Sequence, residues 1–375
     1  MEVGYKNKDA DSFIERHLPD PYLIFAAVVL MIIGMVFIFS TSSVVGQAHY
    51  NDPYYFFKRH VVFLILGCAG FFFFYATGPN KARPYSVIAY VVSLLALAAV
   101  FVPGLGVKVG GSTRWLNLRV WAFQPSELLK LTIPLYMAHA LSNKGENAKE
   151  FLSGILPILL FCAPAVLMVL KQPDLGTVIV IAAVMMAIVW VTGVHWGYMT
   201  GMIVGGLSAG TAQIATHRYQ MQRITAFLDP WADPQGISFH LIQSWNAIGS
   251  GGLFGQGLGN SKIKFFYLPQ QYTDFIFAVV CEEGGFITAV GIILLLMVLA
   301  ARCFRVAILH QDPFKRYLAT GLSVYIIGQS LVNIGVVVGL LPTTGIPLPM
   351  ISFGGTSVLV TCLALGWLAR LSTQV

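Results

Sequence analysis

Runs of about twenty consecutive apolar residues recur along almost the whole chain, each long enough to carry a helix across a hydrocarbon core about 30 Å thick. Ten windows stand out, at residues 21–44, 60–78, 85–104, 126–142, 152–170, 176–193, 196–216, 273–301, 316–340 and 352–372. Composition points the same way, with 57% of the 375 residues hydrophobic and 10% charged, against about 25% charged in ordinary soluble domains. Sixteen acidic and 23 basic side chains cannot clothe that much apolar surface in water. A soluble enzyme, a disordered scaffold and a secreted disulfide module are excluded. The expectation is an all-α integral membrane protein of about ten transmembrane helices, forming one domain over residues 20–375 behind a polar tail at 1–19.

The tail mixes signs (Glu2, Lys6, Lys8, Asp9, Asp11, Glu15, Arg16) and does not resemble the basic start of a cleaved signal peptide, so the first apolar run is expected to remain as an anchor. Cys68, Cys162, Cys281, Cys303 and Cys362 lie in or beside apolar runs without a CxxC pair, which argues against a disulfide framework or zinc site. An even number of spans puts both termini on one side. With the termini cytoplasmic, 12 of the 23 basic residues fall inside, so raw counting decides nothing. The outer positives are concentrated, however: Lys108, Arg114, Arg119 and Lys130 in or beside one loop, Arg218, Arg223, Lys262 and Lys264 in another. Apart from these, only Lys58, Arg59 and Lys171 lie outside, and the inside-positive rule then places both termini in the cytoplasm. The pI near 9.1 reads as loop charge beside anionic lipid rather than a nucleic-acid footprint.

Residues 217–272 form the one long break in the apolar pattern and hold Trp231, Phe239, Trp245, Phe254, Phe265, Phe266 and Tyr267. A loop of that composition is expected to be extracytoplasmic and ordered, with short amphipathic stretches on the membrane surface.

Ionisable groups in or at the ends of spans are functional candidates by default. Four sets qualify: Glu127 with Lys130, Lys171 with Asp174, Asp274, and Glu282 with Glu283. All but the last cluster at the outer ends of their helices, where a lipid-linked head group would lie. Glu127 and Lys130 are spaced i, i+3 and either cap a helix entrance or present a cation to a phosphate. Asp274 opens the eighth window, where it either caps the helix or accepts a proton or a metal ion. The stretch 249–259 is rich in glycine but lacks the ending of a P-loop and a preceding strand, so a tight loop is favoured over a nucleotide cradle. Lys262 and Lys264 beyond it either snorkel or meet lipid phosphates. His217, His240 and His310 share no metal-ligand spacing, Trp115 and Trp231 suit an interfacial belt, and Asn333 suits interhelical packing.

Seven motifs then fall in order: 110–116 GGSTRWL, 123–130 FQPSELLK, 172–177 QPDLGT, 227–236 FLDPWADPQG, 240–255 HLIQSWNAIGSGGLFG, 272–283 YTDFIFAVVCEE and 345–355 GIPLPMISFGG. By these the chain resembles the SEDS family (shape, elongation, division and sporulation), and its cell-division branch more than its elongation branch. The resemblance implies a ten-helix peptidoglycan glycosyltransferase that polymerises lipid II on the outer face of the bacterial cytoplasmic (inner) membrane and releases undecaprenyl pyrophosphate during septal wall synthesis. It implies Asp274 as the catalytic residue, and Arg114, Trp115, Glu127, Lys130, Gln172, Asp174, Lys262 and Ser352 as substrate-binding. A divalent cation such as Mg2+, held by Asp274 and Glu127, is a further expectation, with no nucleotide. The implied partners are a class B penicillin-binding protein (FtsI type) and the divisome proteins FtsQ, FtsL and FtsB. The sequence departs from the family at Tyr272, where histidine is usual, and at Gln270 and Gln271. A lipid II flippase, an elongation-type polymerase and a recruiting scaffold are the rival readings.

Overall fold

The structure, a computed structural model, describes residues 18–109, 112–117, 121–261 and 272–375, the side chains of 108 and 109 excepted. Each of the ten windows meets a helix: α1 Pro21–Tyr50, α2 Tyr55–Ala82, α3 Ser86–Ala99, α4 Pro125–Ser142, α5 Leu156–Lys171, α6 Leu175–Thr192, α7 Trp196–Thr216, then α10 Ile276–Leu309, α11 Pro313–Val337 and α12 Gly355–Ser372. Between α7 and α10 lie α8 Arg218–Leu228 and α9 Phe239–Gly251. Seven helical segments among the described residues are long and apolar enough to cross a membrane, one of them, Tyr55–Ala99, holding both α2 and α3. The chain is therefore an all-α multi-pass membrane protein. Helices α4 and α7 fall outside that set.

Local chemistry sets the helix ends. Asp20 Oδ1 accepts from Tyr22 N at 3.0 Å and Leu23 N at 3.2 Å, with Pro21 at the first position of α1. Asp312 caps α11 in the same way, accepting from Phe314 N at 2.9 Å, and Gly193, at φ 83°, ends α6. These are the side-chain caps and left-handed stops that helix termini need. The window 85–104 overran its helix: α3 stops at Ala99, and Pro103 and Gly104 lead out to a three-stranded antiparallel sheet, β1 Gly106–Val109, β2 Ser112–Asn117 and β3 Ala122–Phe123, in the order β1-β2-β3. Val107 pairs with Trp115 and Leu116 with Phe123. This small sheet is an addition to the helical expectation, outside the apolar windows.

Contacts between connections divide the bundle into two ends. At one, Asp20 N donates to Ser372 Oγ at 2.9 Å, Arg83 Nη2 donates to Asn143 Oδ1 at 2.9 Å, and the Arg83 guanidinium lies over Phe314 at 4.8 Å. This end carries the described start and end of the chain. At the other, Gln124 N donates to Thr356 Oγ1 at 3.2 Å, Phe56 meets Tyr272 at 4.7 Å, and Arg223 Nη1 donates to Thr343 O at 2.8 Å. Helix α8 is exposed apart from half-buried positions and one buried residue, Gln220. Helix α9, by contrast, packs into the bundle: it buries Leu241, Ile242 and Ala247 and donates from Ser244 Oγ to Val337 O at 2.8 Å. Ser244, Ala247 and Gly251, spaced i, i+3 and i+7, give α9 a small-residue face that lies against Cys281 of α10 and Val337 of α11.

Helix α10 is broken. Gly285 has φ 70° and ψ −175°, a conformation open to glycine. The interruption frees backbone groups, which cannot be left unpaired among apolar neighbours. The glycine stretch supplies partners: Gln256 N and Gly257 N donate to Glu282 O and Glu283 O at 2.9 and 3.1 Å, while Phe286 N and Ile287 N donate to Gly252 O and Leu253 O. A Cβ on Gly255 would stand 2.1 Å from Glu283 O, so only glycine allows the approach. The tight-loop reading of 249–259 thus acquires its purpose, which is to close a broken helix.

Candidate active site

Asp274 lies in a four-residue turn just before α10. Three consecutive carbonyls of that turn are gripped from outside it. Phe353 N donates to Tyr272 O at 2.9 Å, Ser352 Oγ to Thr273 O at 2.6 Å, and Asn333 Nδ2 to Asp274 O at 2.8 Å. Asn333 Nδ2 also donates to Ile346 O at 2.8 Å, and Leu348 N donates to Ser352 Oγ at 2.7 Å. Helix α11 and the loop 338–354 therefore hold one frame around the aspartate. Within that loop Gly345 takes φ 77°, and a Cβ there would lie 3.5 Å from Asp274 Oδ2. Ser352 meets the Asp274 turn through its backbone, at Thr273 O.

Burial pushes the Asp274 carboxyl up from 3.8 to about 6, against the opposing pull of Arg223 first and Arg114 second, with Asp174 pushing it further up. Desolvation disfavours the charged form and nearby cations favour it, so the carboxyl is poised just below neutrality. Arg114 reaches over from β2. Its Nε donates to Gln172 O at 3.0 Å and its Nη2 to Pro173 O at 2.7 Å, while Nη1 stands 3.9 Å from Asp174 Oδ1. Asp174, expected beside Lys171, instead faces Arg114 and caps α6 by accepting from Thr177 N and Thr177 Oγ1 at 3.2 and 3.0 Å. Gln172 is 1% exposed, and neither its Oε1 nor its Nε2 has a partner among the described residues. Trp115 is half-buried in β2 opposite Val107. From the other flank Arg223 of α8 is held by Thr343 O and lies over the Tyr219 ring at 4.6 Å. His240 of α9 stacks on Phe275 at 5.9 Å, and burial followed by the charge of Arg223 lowers its pKa, keeping it neutral.

Glu127 and Lys130 lie elsewhere. Each is 1% exposed, and the Lys130 ammonium donates to Glu127 Oε1 at 2.6 Å and Gln329 Oε1 at 2.7 Å. It also sits 5.7 Å from the centroid of the Tyr325 ring. Gln329 in turn donates from Nε2 to Pro347 O at 2.8 Å. Of the two readings, a local ion pair or a cation facing a phosphate, the structure shows the ion pair, with the ammonium held by a carboxylate and an amide and Glu127 Oε2 without a hydrogen-bond partner among the described residues. Neither residue is among the charges acting on Asp274, which are Arg223, Arg114 and Asp174. Through Gln329 and Pro347 the pair supports the loop that grips the aspartate.

Glu282 and Glu283 are both buried. Ser40 Oγ lies 2.7 and 2.6 Å from the two Glu283 carboxylate oxygens, Ser261 N donates to Glu283 Oε1 at 3.4 Å, and Ser261 Oγ donates to Glu282 Oε2. Lys262, with Lys264, Gln270 and Gln271, lies outside the described residues. Among the described residues no three His, Cys, Asp or Glu side chains gather as a metal-ligand set. Two residues do more here than their sequence signal implies: Asn333, whose mid-span amide demands a partner, grips the Asp274 turn, and Arg223, one outer positive among several, acts on the Asp274 carboxyl.

The fold and the site together define a multi-spanning membrane protein that holds, at one end of the bundle, a carboxyl raised by burial and acted on by two guanidinium groups. The chain belongs to the cell cycle protein family of FtsW, RodA and SpoVE, which matches residues 21–375. It is 40% identical over 362 residues to the probable peptidoglycan glycosyltransferase FtsW of Geobacter metallireducens, covering 96% of both chains. It is 38% identical to stage V sporulation protein E of Bacillus subtilis, covering 94% of this chain and 97% of that one. A chain solved in work on structural coordination of polymerization and crosslinking by a peptidoglycan synthase complex superposes with a TM-score of 0.78 at 30% identity, covering 94% of this chain and 97% of that one. The rod shape determining protein RodA of Thermus thermophilus superposes at 0.69 and 29%, covering 94% and 96%.

Proposed function

We propose that this chain is a peptidoglycan glycosyltransferase that polymerises lipid II into glycan strands for septal wall synthesis. The observation that carries the reading is the Asp274 turn: a carboxyl raised to about 6 and held through three successive carbonyls between Arg114 and Arg223. A general base is most effective when its pKa lies near the working pH. Asp274 accepts the proton of the acceptor sugar 4-hydroxyl as that oxygen attacks the anomeric carbon of the donor strand. The bond to undecaprenyl pyrophosphate breaks with inversion, and the electron pair leaves on the pyrophosphate. Arg114 and Arg223 face the charge that develops there.

The residues also fit a divalent cation that arrives with substrate. Mg2+ is commonly held by one or two carboxylates together with substrate phosphates, and Asp274 with Asp174 supplies that donor type. Such an ion would neutralise part of the leaving-group charge.

The site end is outer and the terminus-bearing end cytoplasmic, in agreement with the basic residues Lys81, Arg83, Lys144, Lys149, Arg302, Arg305, Lys315, Arg316 and Arg370 at the latter. We place the protein in ten spans, at the division septum, with a class B penicillin-binding protein of FtsI type and with FtsQ, FtsL and FtsB. The likeness to a chain of a peptidoglycan synthase complex supports the first of these partners. The break in α10 beside two buried glutamates is a feature that carriers share, and it supports lipid II flipping as the second reading. Purified Asp274→Asn protein with its partner separates them. Loss of polymerisation with lipid movement intact supports catalysis, whereas a normal polymerisation rate removes it and loss of flipping in liposomes favours the carrier.

A further inference from the structure

At the end of the bundle opposite Asp274, an open groove of about 350 Å³ runs between the start of α1, the last turns of α10 and the end of α12. Two guanidinium groups face it, those of Arg302 and Arg305, one turn apart on α10. Arg302 lies over the Tyr22 ring at 4.4 Å, which fixes its plane, but its nearest carboxylate oxygen, Asp20 Oδ2, is 3.7 Å from Nε. That separation is beyond a hydrogen bond, and Asp20 Oδ1 is spent on the cap of α1. Arg305 has no partner among the described residues. Among the described residues neither guanidinium has a hydrogen bond, and Asp20 is the one acidic side chain lining the groove, with Val375 at its rim. Its walls are apolar, from Val306 and Leu309. Along α10, one and two turns back from Arg302, Val298 and Leu294 are 40% and 51% exposed. They form an apolar track on the face that Arg302 continues.

A guanidinium pair above an apolar helical track is complementary to a phosphodiester with acyl chains below it. Planar forks suit phosphate oxygens, and basic pockets between helices at a membrane face bind anionic head groups. We propose that this groove is a binding site for the head group of an anionic phospholipid, with the phosphate between Arg302 and Arg305 and an acyl chain along Val298 and Leu294. Ordinary snorkelling would leave the same arginines indifferent to which head group they meet.

The test uses the purified full chain in neutral detergent, titrated with dioctanoyl phosphatidylglycerol, dioctanoyl phosphatidylcholine or inorganic phosphate while the thermal midpoint is followed. A saturable upward shift is expected with phosphatidylglycerol alone. A basic residue at an anionic surface contributes about fivefold in affinity, so Arg302→Gln with Arg305→Gln should weaken binding on the order of 30-fold. Arg305→Gln alone, which breaks no contact and should fold, is expected to weaken it about fivefold. Lys144→Gln with Lys149→Gln removes the same charge elsewhere on this end and should leave binding unchanged. Equal shifts from phosphatidylcholine, an equal response to inorganic phosphate, or an equal loss in the Lys144 and Lys149 variant would each overturn the proposal.

Discussion

Two carboxylates near the helix ends of one bundle, Glu127 and Asp274, are handled in opposite ways. Glu127 faces an ammonium at 2.6 Å, and that ammonium is shared with Gln329. Asp274 is clamped through its backbone, with both flanking arginines engaged elsewhere, Arg114 on the carbonyls of Gln172 and Pro173 and Arg223 on Thr343 O. A paired buried charge is a structural device, costly to break from one side. Asp274, whose carboxyl takes a hydrogen bond from Thr273, has no cation in direct contact among the described residues. The contrast teaches that burial and charge alone do not mark a candidate reacting group; what differs is whether a cation already sits on it, as Lys130 does on Glu127 although Glu127 Oε2 has no hydrogen-bond partner among the described residues.

The largest effect should come from removing the base. Asp274→Asn keeps the turn's backbone grip and should lower lipid II polymerisation by about 10²- to 10⁴-fold. Its effect on stability should run the other way. The folded carboxyl, at about 6, binds its proton more tightly than the unfolded one at 3.8. Stability is therefore lost as pH rises between those values, by about 3 kcal/mol in all. The asparagine variant, free of that penalty, should unfold at a higher temperature than the parent at pH 7.5 and at an equal one near pH 3. A variant that loses activity only because it unfolds would erase the contrast.

Lys130→Met tests the other half. It strands Glu127 without its cation and should cost 3–5 kcal/mol, seen as a lower thermal midpoint, with activity falling only as folded protein is lost. Glu127→Gln with Lys130→Met removes both charges and should recover most of the stability. A Lys130→Met protein that is fully stable yet inactive would make Lys130 a phosphate ligand, and the two centres would no longer be opposites.

Part of this arrangement was legible in the sequence. Helix positions follow from apolar length, and caps from Asp-Pro pairs such as Asp20-Pro21 and Asp312-Pro313, because both signals are local. The glycine stretch at 249–259 announced a tight loop, but not its docking into α10, since nothing local tells which carbonyls a break at Gly285 will expose. Charge scarcity singled out Glu127, Lys130, Asp174 and Asp274 together, and only tertiary placement splits them into a closed pair and an open group. Asn333 was visible as a polar residue in an apolar run, yet its target is a turn 59 positions away in sequence, beyond the reach of periodicity.

Asn333 and the pH dependence sharpen the comparison at smaller scale. Asn333→Ala releases the carbonyls of Asp274 and Ile346 and loosens the frame without touching the carboxyl. Misplacement of a reacting group by about 1 Å costs on the order of 100-fold, so a fall of about 10- to 100-fold in kcat is expected, with KM for lipid II nearly constant. In the parent protein kcat should climb with pH, about tenfold per unit below 6 and flat above it, as the base loses its proton. A kcat that stays flat from pH 5 to 8 would show that Asp274 is not titrating in the rate-limiting step.

The smallest effect belongs to Tyr272, which stands where the family usually has histidine. Its ring packs on Phe56 at 4.7 Å and on Phe353 at 5.7 Å, and its carbonyl accepts from Phe353 N at 2.9 Å. Burial, followed by the nearby Tyr50, raises its hydroxyl above the ordinary phenol value, so it stays neutral at physiological pH and cannot serve as a second base. What this position contributes to Asp274 is therefore the backbone link and aromatic packing, both of which an imidazole can largely reproduce. Tyr272→His should change the polymerisation rate by about twofold or less, the scale of a substitution near 0.5 kcal/mol. A tenfold gain in initial rate would mean that the side chain itself meets substrate, and that the reacting group extends from Asp274 to its neighbour in the turn.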